Sequence, residues 1–423
     1  MLHRSRLAAA VVVVSAAAAS VLLAGDQEWR RARGRLALLT IPTEVARLVA
    51  PLPATGDELG RSVAVSPGGI VVGAPGNVTG DPSLYVEGAA HVFVGGGGRW
   101  RHHQQLLAFD RELGDGFGRS VVIDGDTIAV GAEHDDHGDI ANAGSVYVFV
   151  RTGRALTLEA KLTAPDPRTE AHFGHSLALD GDTLAVGTWA TDTVYLFQRN
   201  GAWWPEPQVV RATPEQAGNF GHSLALSGDR LVVGAQWRWS PTAQVTAGGA
   251  SVFERVDQEW VLEQELGPAD PGEGDLFGSS AAVSGDLIVI GAPQDDDESI
   301  ESSGSTHVFT RNEGQWTQAQ RLVPMAATPW QQFGWSVALA GPNLLVGAPG
   351  YGAEGAWWTG GAYLFRPAGD SWAASAVLVP GGAAPDDQLG EVAISGHTAV
   401  LGARLTDVDG RTDAGAAYVF LLP

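Results

Sequence analysis

The feature that most constrains this chain is a short motif, Phe-Gly followed by an apolar stretch, that recurs along most of its length. It occurs at Phe117-Gly118, Phe173-Gly174, Phe220-Gly221, Phe277-Gly278 and Phe333-Gly334, and with leucine at Leu59-Gly60 and Leu389-Gly390. Successive glycines of the motif are 58, 56, 47, 57, 56 and 56 residues apart. A nearly constant period of this length is typical of repeat architectures, in which each unit packs against its neighbours.

Each unit of the repeat is predicted to hold four short strands joined by tight turns. In the second unit, strands at 120–123 and 127–132 flank the hairpin Asp124-Gly125-Asp126, and strands at 144–149 and 158–163 follow. Asp-Gly and Gly-Asp pairs suit hairpins because both residue types tolerate a positive φ. Four-stranded units of about 40–50 residues are typical of propeller blades. The sequence therefore predicts an all-β fold, a seven-bladed β-propeller of four-stranded antiparallel blades.

The second strand of each unit is predicted to be buried on both faces. Its residues are apolar without alternation, as in 231–235 and 287–292. A strand with one wet face would alternate polar and apolar residues, whereas a strand between two neighbouring sheets does not need to. In five units a tryptophan lies 17 residues before the next Phe or Leu anchor, namely Trp100, Trp203, Trp260, Trp316 and Trp372. We expect these five side chains to be core residues.

The two ends of the repeat region are predicted to share one blade. The last unit ends in its third strand, at Tyr418–Pro423, and Val45–Pro51 precedes the first anchor as fourth strands precede the others. We therefore expect residues 44–50 to pair with residues 415–421. An N-terminal strand would then complete the last blade and cover an otherwise open sheet edge.

A second motif, Gly-Ala-Pro, ends the second strand at residues 73–75, 291–293 and 347–349. With its two motifs, the sequence resembles bacterial FG-GAP repeat proteins and is similar in plan to integrin α-subunit propellers, from about residue 44 to residue 423. The resemblance implies the propeller fold but no particular ligand, because one fold serves many functions.

The resemblance also implies a calcium loop, Asp-x-Asp/Asn-x-Asp-Gly-x-x-Asp, between the first and second strands. Here the hairpins that begin at Asp124, Asp180, Ser227 and Ser284 are too short to encircle the ion. Residues 407–413 match the second half of such a loop, but Leu405 stands at the position of the first ligand. We predict that no cofactor is required, and that Asp407, Asp409 and Asp413 form either a solvated acidic loop or a weak Ca²⁺ site.

The net charge and the N-terminal segment bear on the location of the protein and on which partners it can bind. A formal net charge of −22 disfavours nucleic acid, which is a polyanion. The absence of cysteine excludes disulfides, zinc–thiolate sites and thiol nucleophiles. Residues 1–25 have a basic start and an apolar run, which predict a signal peptide or membrane anchor, followed by a linker over 26–43 and the propeller over 44–423. We expect a secreted or cell-surface protein that meets a membrane only through that segment.

No catalytic constellation is predicted from the sequence. Residues 133–137 contain two histidines but lack the helical His spacing of metalloproteases, so we interpret them as a polar loop. The residue after each Phe-Gly or Leu-Gly anchor varies between units: it is Arg61, Arg119, His175, His222, Ser279, Trp335 or Glu391. We interpret this variation as the mark of an exposed rim position.

Tryptophans that depart from the 17-residue rule are the candidate ligand contacts. The loops between second and third strands hold Trp189, Trp237, Trp239, Trp357 and Trp358, while Trp330 and Trp335 flank a Phe-Gly junction. In a propeller these loops share a face with the connections between blades. Since tryptophan is enriched at recognition surfaces, the candidate binding residues are Trp237, Trp239, Trp335, Trp357 and Trp358, with Asp135, Asp136 and Asp295 adding contacts at the rim. The alternative is that the tryptophans fold back as loop cores.

Three functions are compatible with these features. The first is an exported binding or adhesion module that recognises a protein or a glycan through the face just described. The second is a propeller enzyme acting on polysaccharide, which needs two placed carboxyl groups. The third is a passive structural module of an envelope complex. A flat aromatic face favours the first function, and a concave pocket with strongly perturbed carboxylates favours the second.

Overall fold

A computed structural model describes residues 41–76, 87–297, 300–352 and 358–423. These residues form thirty β-strands and no helix. Twenty-eight strands make seven four-stranded sheets with antiparallel neighbours, and the other two make a small hairpin. The predicted all-β, seven-bladed propeller is thereby confirmed. Residues 1–25 and residues 26–40 of the predicted linker lie outside the described residues. Within the described residues, no helix is long and apolar enough to span a membrane.

The strands follow one another along the chain, from the channel outwards within each blade. Blade 1 consists of β2 (Ser62–Ser66), β3 (Gly69–Ala74), β4 (Ala89–Gly96) and β5 (Arg99–Leu106), and blade 2 of β6 (Phe117–Asp124), β7 (Thr127–Ala132), β8 (Ser145–Thr152) and β9 (Ala155–Leu162). Blade 3 consists of β10 (Ser176–Asp180), β11 (Thr183–Gly187), β12 (Thr193–Gln198) and β13 (Gln208–Arg211). Blade 4 consists of β14 (Phe220–Ser227), β15 (Arg230–Ala235), β18 (Gly249–Val256) and β19 (Glu259–Leu266), with the hairpin β16 (Trp239–Ser240) and β17 (Val245–Thr246) inserted between its second and third strands.

The remaining blades repeat the same order. Blade 5 consists of β20 (Ser280–Ser284), β21 (Leu287–Ala292), β22 (Ser305–Asn312) and β23 (Gln315–Leu322), and blade 6 of β24 (Val337–Ala340), β25 (Asn343–Ala348), β26 (Gly361–Ala368) and β27 (Ser371–Leu378). Blade 7 consists of β28 (Leu389–Ser395), β29 (Thr398–Ala403), β30 (Ala416–Leu421) and, from the other end of the chain, β1 (Thr43–Leu48).

Blade 7 joins the two ends of the repeat region. Strand β1 runs antiparallel to β30, with Thr43 opposite Leu421 and Leu48 opposite Ala417, and a register shift falls between Glu44 and Ala46. The outer edge of β30, which would otherwise lie open, is thus covered by a strand from the start of the propeller.

The hydrophobic core is divided into clusters that lie between blades. One cluster combines Val71 and Val92 of blade 1 with Phe117, Ile128 and other residues of blade 2. Every residue of β3, β7 and β25 is buried, as the apolar second strands predicted. All seven Phe or Leu anchors are completely buried. Stability therefore comes from pairs of neighbouring sheets, as expected for a repeat protein.

Two glycines meet at every interface between blades. A Cβ on Gly291, the glycine of Gly-Ala-Pro in blade 5, would lie 2.0 Å from the carbonyl oxygen of Gly334, the glycine of Phe-Gly in blade 6. The same contact joins the six other blade pairs, and it closes the ring at Gly402 and Gly60. Only glycine permits two backbones to approach so closely.

A serine two residues after the anchor glycine strengthens five of these interfaces. The Ser280 hydroxyl donates to the Gly334 carbonyl at 2.8 Å, and Ser62, Ser120, Ser176 and Ser223 make the equivalent bond to the next blade. These bonds satisfy a carbonyl that no strand partner reaches. The recurrent motif is thus Phe-Gly-x-Ser, and each of its fixed residues contacts a neighbouring blade or the core.

The expectation that Trp203 is a core residue is wrong. Trp260 and Trp316 are buried, and Trp100 and Trp372 are partly buried, but 65% of Trp203 is exposed. Its neighbour Trp204 is buried instead, where its Nε1 donates to Glu159 and Arg199 lies over its ring. In blade 3 the outer strand has only four residues, and the longer connection before it shifts the buried position by one residue.

The two ends of the propeller differ in their loops. We call the end that carries the loops between second and third strands and the connections between blades, such as 236–248 and 323–336, the long-loop face. The opposite end carries tight hairpins between first and second strands, such as Ser284-Gly285-Asp286, and we call it the hairpin face. On the hairpin face, the Asp124 carboxylate accepts a hydrogen bond from Gly181 N of the next blade at 2.8 Å, so this turn aspartate has a structural role.

Replacing one interface glycine should destabilise the whole ring. In Gly291→Ala the new methyl group meets a carbonyl oxygen of the neighbouring backbone, which cannot rotate away. We expect the free energy of unfolding to fall by about 2–4 kcal/mol, measured by denaturant unfolding. The control is Gly96→Ala, where nothing lies within 4 Å of the added Cβ, and its change should stay within about 0.5 kcal/mol. Equal stability of the two variants would contradict the role of the glycine contact.

Candidate functional site

The seven residues that follow the anchor motif form a ring where the central channel opens on the long-loop face. They line a cavity of about 790 Å³ together with the innermost strand of each blade. We call this ring the channel mouth: Arg61, Arg119, His175, His222, Ser279, Trp335 and Glu391. Below it the channel wall consists mainly of small and medium aliphatic side chains, such as Ala178 and Val283.

The interpretation of this ring as an exposed rim is wrong for every member except Trp335. The side chain of His175 is only 9% exposed and that of Arg61 19% exposed. Each first strand points its opening residues inward, so neighbouring blades press these side chains against one another. The residue types vary between units because each must fit its own ring neighbours.

Blades 6, 7 and 1 contribute one connected group to the channel mouth. Glu391 accepts a hydrogen bond from Nε1 of Trp335 at 3.0 Å. The same carboxylate oxygen accepts a longer bond from Nη1 of Arg61, at 3.4 Å. One acidic group thus orients both an indole and a guanidinium at the mouth.

Blades 2, 3 and 4 contribute a second connected group. Glu133 accepts a hydrogen bond from Nε of Arg119 at 2.6 Å and pairs with Nδ1 of His175 at the same distance. Trp189 stacks on His175 with ring centroids 6.2 Å apart, and the His222 ring lies 5.1 Å from the other side. Nδ1 of His222 is buried without a hydrogen-bond partner in the described structure. Residue 133, part of the predicted polar loop, is therefore a buried charge.

Burial and like charges shift the titration of this ring. Burial, and then the neighbouring Arg119, lower the pKa of Arg61 to about 10. Burial and the adjacent His175 lower the pKa of His222 to about 3. Although burial opposes it, Arg119 and His175 hold the pKa of Glu133 well below its usual range. Near neutral pH the mouth therefore carries a charged Arg61, a charged Glu133 and a neutral His222.

The exposed aromatic residues gather on the long-loop face. Among the described residues, six of the seven exposed large aromatic side chains lie there: Phe109, Trp189, Trp237, Trp239, Trp330 and Trp335. Only Trp203 lies on the hairpin face. Scattered apolar residues are normal on a surface, but a concentration at one end is not expected by chance.

The structure places four of the five candidate tryptophans, in three different situations. Trp237 and Trp239 are 45% and 53% exposed, and the β16–β17 hairpin holds Trp239. Trp335 is more than a third exposed at the channel mouth. Trp358 is only partly exposed, and its backbone carbonyl accepts a bond from Gln388 N at 3.1 Å. Trp357 lies outside the described residues.

The acidic loops do not supply the predicted rim contacts. Asp135 is buried and accepts bonds from Lys161 at 2.6 Å and Tyr147 at 3.1 Å. Asp295 is buried beside Arg321 and the Ser305 hydroxyl. In Asp136, as in Asp296, one carboxylate oxygen accepts a backbone N–H of its own loop at 2.7 Å. These carboxylates hold their loops in shape, so the prediction of rim contacts is wrong for the buried Asp135 and Asp295.

The predicted calcium residues in blade 7 follow the same structural pattern. The Asp407 carboxylate accepts the backbone N–H of Asp413 at 3.1 Å, and Asp409 has a positive φ of 52° in the turn between them. Throughout the described residues, no group of three or more His, Cys, Asp or Glu side chains converges as a metal site would require. The Asp407 carboxylate therefore caps the loop that contains Asp409 and Asp413.

Connections between blades contain a second set of capping acids. Asp115 accepts a hydrogen bond from Glu112 N at 2.7 Å, and Asp275 one from Gly272 N at 2.6 Å. Burial, then nearby carboxylates, raise the pKa of both Asp115 and Asp275 to about 6. These are strongly perturbed carboxyl groups, but each is engaged by the backbone of its own turn.

Sequence reasoning missed the paired charges of the channel mouth. Arg61, Arg119 and Glu391 each occupied the position after an anchor glycine, and that shared register was the available signal. The shared register places these residues in one ring. The variation of residue type between units was instead interpreted as the mark of an exposed rim. Glu133 carried no such signal, because its contact with Arg119 and His175 depends on the angle between blades.

The closed ring of four-stranded blades, joined by Phe-Gly and Gly-Ala contacts, defines a seven-bladed β-propeller. The FG-GAP repeat matches residues 42–93, 100–149, 156–202, 260–309, 316–365 and 372–420, which is well over half of the chain. The chain belongs to the FG-GAP repeat family. No curated protein gives a significant match to it.

The matched segments are offset from the blades by one strand. The segment 42–93 begins with β1 of blade 7 and continues through three strands of blade 1. The gap from 203 to 259 between two matched segments contains the inner three strands of blade 4 and the inserted β16–β17 hairpin. Blade 4 is thus the unit that departs furthest from the family pattern, and it carries Trp237 and Trp239.

The capping aspartates should produce a pH-dependent stability. Because the folded pKa of Asp115 and Asp275 exceeds the unfolded value near 3.8, they favour folding below pH 4 and this contribution is lost as the pH rises through about 6. Asparagine keeps the cap and does not titrate. Asp115→Asn with Asp275→Asn should therefore gain stability relative to wild type between pH 4 and pH 7, by on the order of 1 kcal/mol per site in parallel denaturant titrations.

Asp110 in the same loop provides a control whose replacement should change stability in the opposite direction. Although burial opposes it, Lys161 and Tyr147 lower the pKa of Asp110, so Asp110→Asn should lose stability relative to wild type as the pH rises. If the stability difference between the double variant and wild type did not change between pH 4 and pH 7, the carboxyl groups of Asp115 and Asp275 would not titrate in this range.

Calcium should not be needed for folding. The caps at Asp136, Asp296 and Asp407 are satisfied by backbone N–H groups, and buried anchors at all seven blade interfaces carry the stability. We expect excess EDTA to leave the melting temperature unchanged within about 2 °C, which for a domain of this size corresponds to a loss of no more than about 1–2 kcal/mol. A fall of tens of degrees, reversed by added Ca²⁺, would contradict this prediction.

Proposed function

We propose that this FG-GAP propeller is an exported or cell-surface binding module that recognises a protein or glycan ligand through its long-loop face. The observation that carries the proposal is the asymmetry of the exposed aromatic residues, six of seven of which lie on that face. Rigid aromatic side chains provide large contact area at low entropic cost, which is why they dominate recognition surfaces.

The loops of the two faces support the same choice. Loops of the hairpin face are short and similar from blade to blade, apart from residues 199–207 in blade 3. Loops of the long-loop face differ in length and include the β16–β17 hairpin. Variable loops on a rigid scaffold are where binding residues are usually found. The hydrogen-bonded caps described above fix the loop shapes, so the aromatic side chains are presented by an ordered surface.

A binding role accounts for the perturbed carboxyl groups better than an enzymatic one. Asp115 and Asp275 have the raised pKa expected of a general acid, but each accepts a hydrogen bond from its own turn. Glu133 and Glu391 at the channel mouth are paired with Arg119 and Arg61. We therefore propose that the protein acts without catalysis, and that its export depends on residues 1–25.

The proposal is tested with labelled protein on arrays of glycans and of extracellular proteins. A ligand found with wild type should bind Trp237→Ala with Trp239→Ala about 5–30-fold more weakly, the loss expected of a modest hot spot of about 1–2 kcal/mol. The melting temperature should change little, because both side chains are about half exposed.

Trp203→Ala is the matched control, because it removes a tryptophan that is even more exposed, but from the hairpin face. It should leave the affinity unchanged. Equal losses in the two variants, or unchanged affinity with a large loss of stability in the double variant, would show that the long-loop face is not the binding surface.

A further inference from the structure

We propose that the channel mouth between Trp335 and Trp189 binds the carboxylate of an acidic sugar, with Arg61 and Arg119 as its anion-binding pair. The inference deepens the proposed function and rests on it, since it names the chemical class of one ligand. The sugar is a uronate unit within an otherwise neutral glycan.

The order of charges around the ring places two arginines side by side. Arg61 of blade 1 and Arg119 of blade 2 occupy neighbouring positions of the channel mouth. Their partners lie on the outer sides, Glu391 on blade 7 and Glu133 beside blade 3. The order in the ring is therefore acid, arginine, arginine, acid. The buried carboxylate of Glu58, which pairs with Arg404 at 3.6 Å, also interacts with both arginines. Burial and the repulsion from Arg119 lower the pKa of Arg61 to about 10, and a bound anion would relieve that repulsion.

Both arginines keep hydrogen-bond donors available. Within the described structure, the side chain of Arg61 donates only through Nη1 to Glu391, and that of Arg119 only through Nε to Glu133. A guanidinium has five N–H donors, so most of each group is unused. The two side chains are 19% and 21% exposed and line the channel cavity, so a ligand in the mouth reaches them. A planar carboxylate matches the fork of a guanidinium, and such paired, charge-assisted bonds are strong.

Two indole rings flank the arginine pair. Trp335 is held by the carboxylate that Arg61 contacts, and Trp189 stacks on the histidine that shares Glu133 with Arg119. Both indoles are more than a third exposed. A pyranose uronate carries its carboxylate on a ring whose C–H face packs on an aromatic surface, so one unit would contact an arginine and an indole together. An acidic peptide would satisfy the arginines and leave the indole faces uncovered.

Cavity size and net charge narrow the ligand further. The channel cavity of about 790 Å³ falls within the range of about 300–1,000 Å³ that ligand sites occupy. A net charge of −22 opposes a polyanion at long range, but it opposes a single carboxylate much less. The surrounding charge thus favours a glycan with isolated acidic sugars over a densely charged polymer.

The experiment is calorimetric titration of the full chain with a matched pair of probes. The first probe is xylotriose substituted with one glucuronate, and the second is unsubstituted xylotriose. We expect the acidic probe to bind at least ten-fold more tightly, with an affinity that falls as salt is raised. Equal binding of the two probes, or no binding of either, would overturn the inference. A short neutral peptide with a single glutamate is the third probe, and peptide binding as tight as that of the acidic sugar would overturn the sugar class.

Variants locate the site within the molecule. Arg119→Gln and Trp335→Ala should each weaken the acidic probe at least ten-fold, while Arg154→Gln, at an exposed arginine of the hairpin face, should leave it unchanged. Arg119→Lys retains the charge beside Glu133 but lacks the planar fork. It is included because Arg119→Gln leaves a buried acid unpaired, and it should still weaken binding several-fold. Unchanged affinity in a folded Arg119→Lys and in Trp335→Ala would overturn the site.

Failure of this inference is distinguishable from failure of the proposed function. If the acidic sugar does not bind but array ligands still depend on Trp237 and Trp239, only the channel-mouth site is wrong. If Trp237→Ala with Trp239→Ala, and separately Trp335→Ala, leave every array ligand bound with unchanged affinity, the long-loop proposal is wrong.

Discussion

The contact on which the rest of this structure depends is the approach of two glycines across each blade interface. With the carbonyl of Gly334 at 2.0 Å from the place of a Cβ on Gly291, the second strand of one blade and the first strand of the next are nearly in backbone contact. The anchor phenylalanine fills the space beside this contact, and the serine hydroxyl satisfies the carbonyl within it. Seven repetitions, the last between Gly402 and Gly60, set the angle between blades and close the ring.

The third position of the Phe-Gly-x-Ser motif takes no part in these contacts between blades. In Phe-Gly-x-Ser the first, second and fourth residues are committed to packing or hydrogen bonding between blades, whereas the third faces the channel. The ring therefore brings seven unrelated side chains together without any change to the scaffold. Charges such as those of Arg61 and Arg119 become neighbours in space although they are 58 residues apart in the chain.

Most loop carboxylates serve the scaffold, which clarifies what is left for recognition. Asp115, Asp136, Asp275 and Asp407 cap backbone N–H groups, and Asp135 is buried against Lys161. A buried hydrogen-bond donor without a partner costs about 1–3 kcal/mol. Each capping carboxylate avoids this cost by accepting a backbone N–H of its loop. The side chains that remain exposed on the long-loop face are consequently mainly aromatic, and two neighbouring arginines lie at its centre. This composition is suited to binding.

The sequence by itself determined the fold and the position of the candidate face. The recurrence of Phe-Gly predicted the number of blades, and the apolar second strands indicated sheets that are buried on both sides. The Asp-Gly turns predicted the positions of the loops. Each of these signals could be recognised in the sequence because it depends only on residues close together in the chain. Side-chain burial at the loops was decided only by the tertiary structure. The exchange of Trp203 for Trp204, the burial of Asp135 and Asp295, and the pairing of Glu133 with Arg119 and His175 all depend on how two blades meet. Such contacts join residues from separate units, and their geometry exists only once the ring has closed.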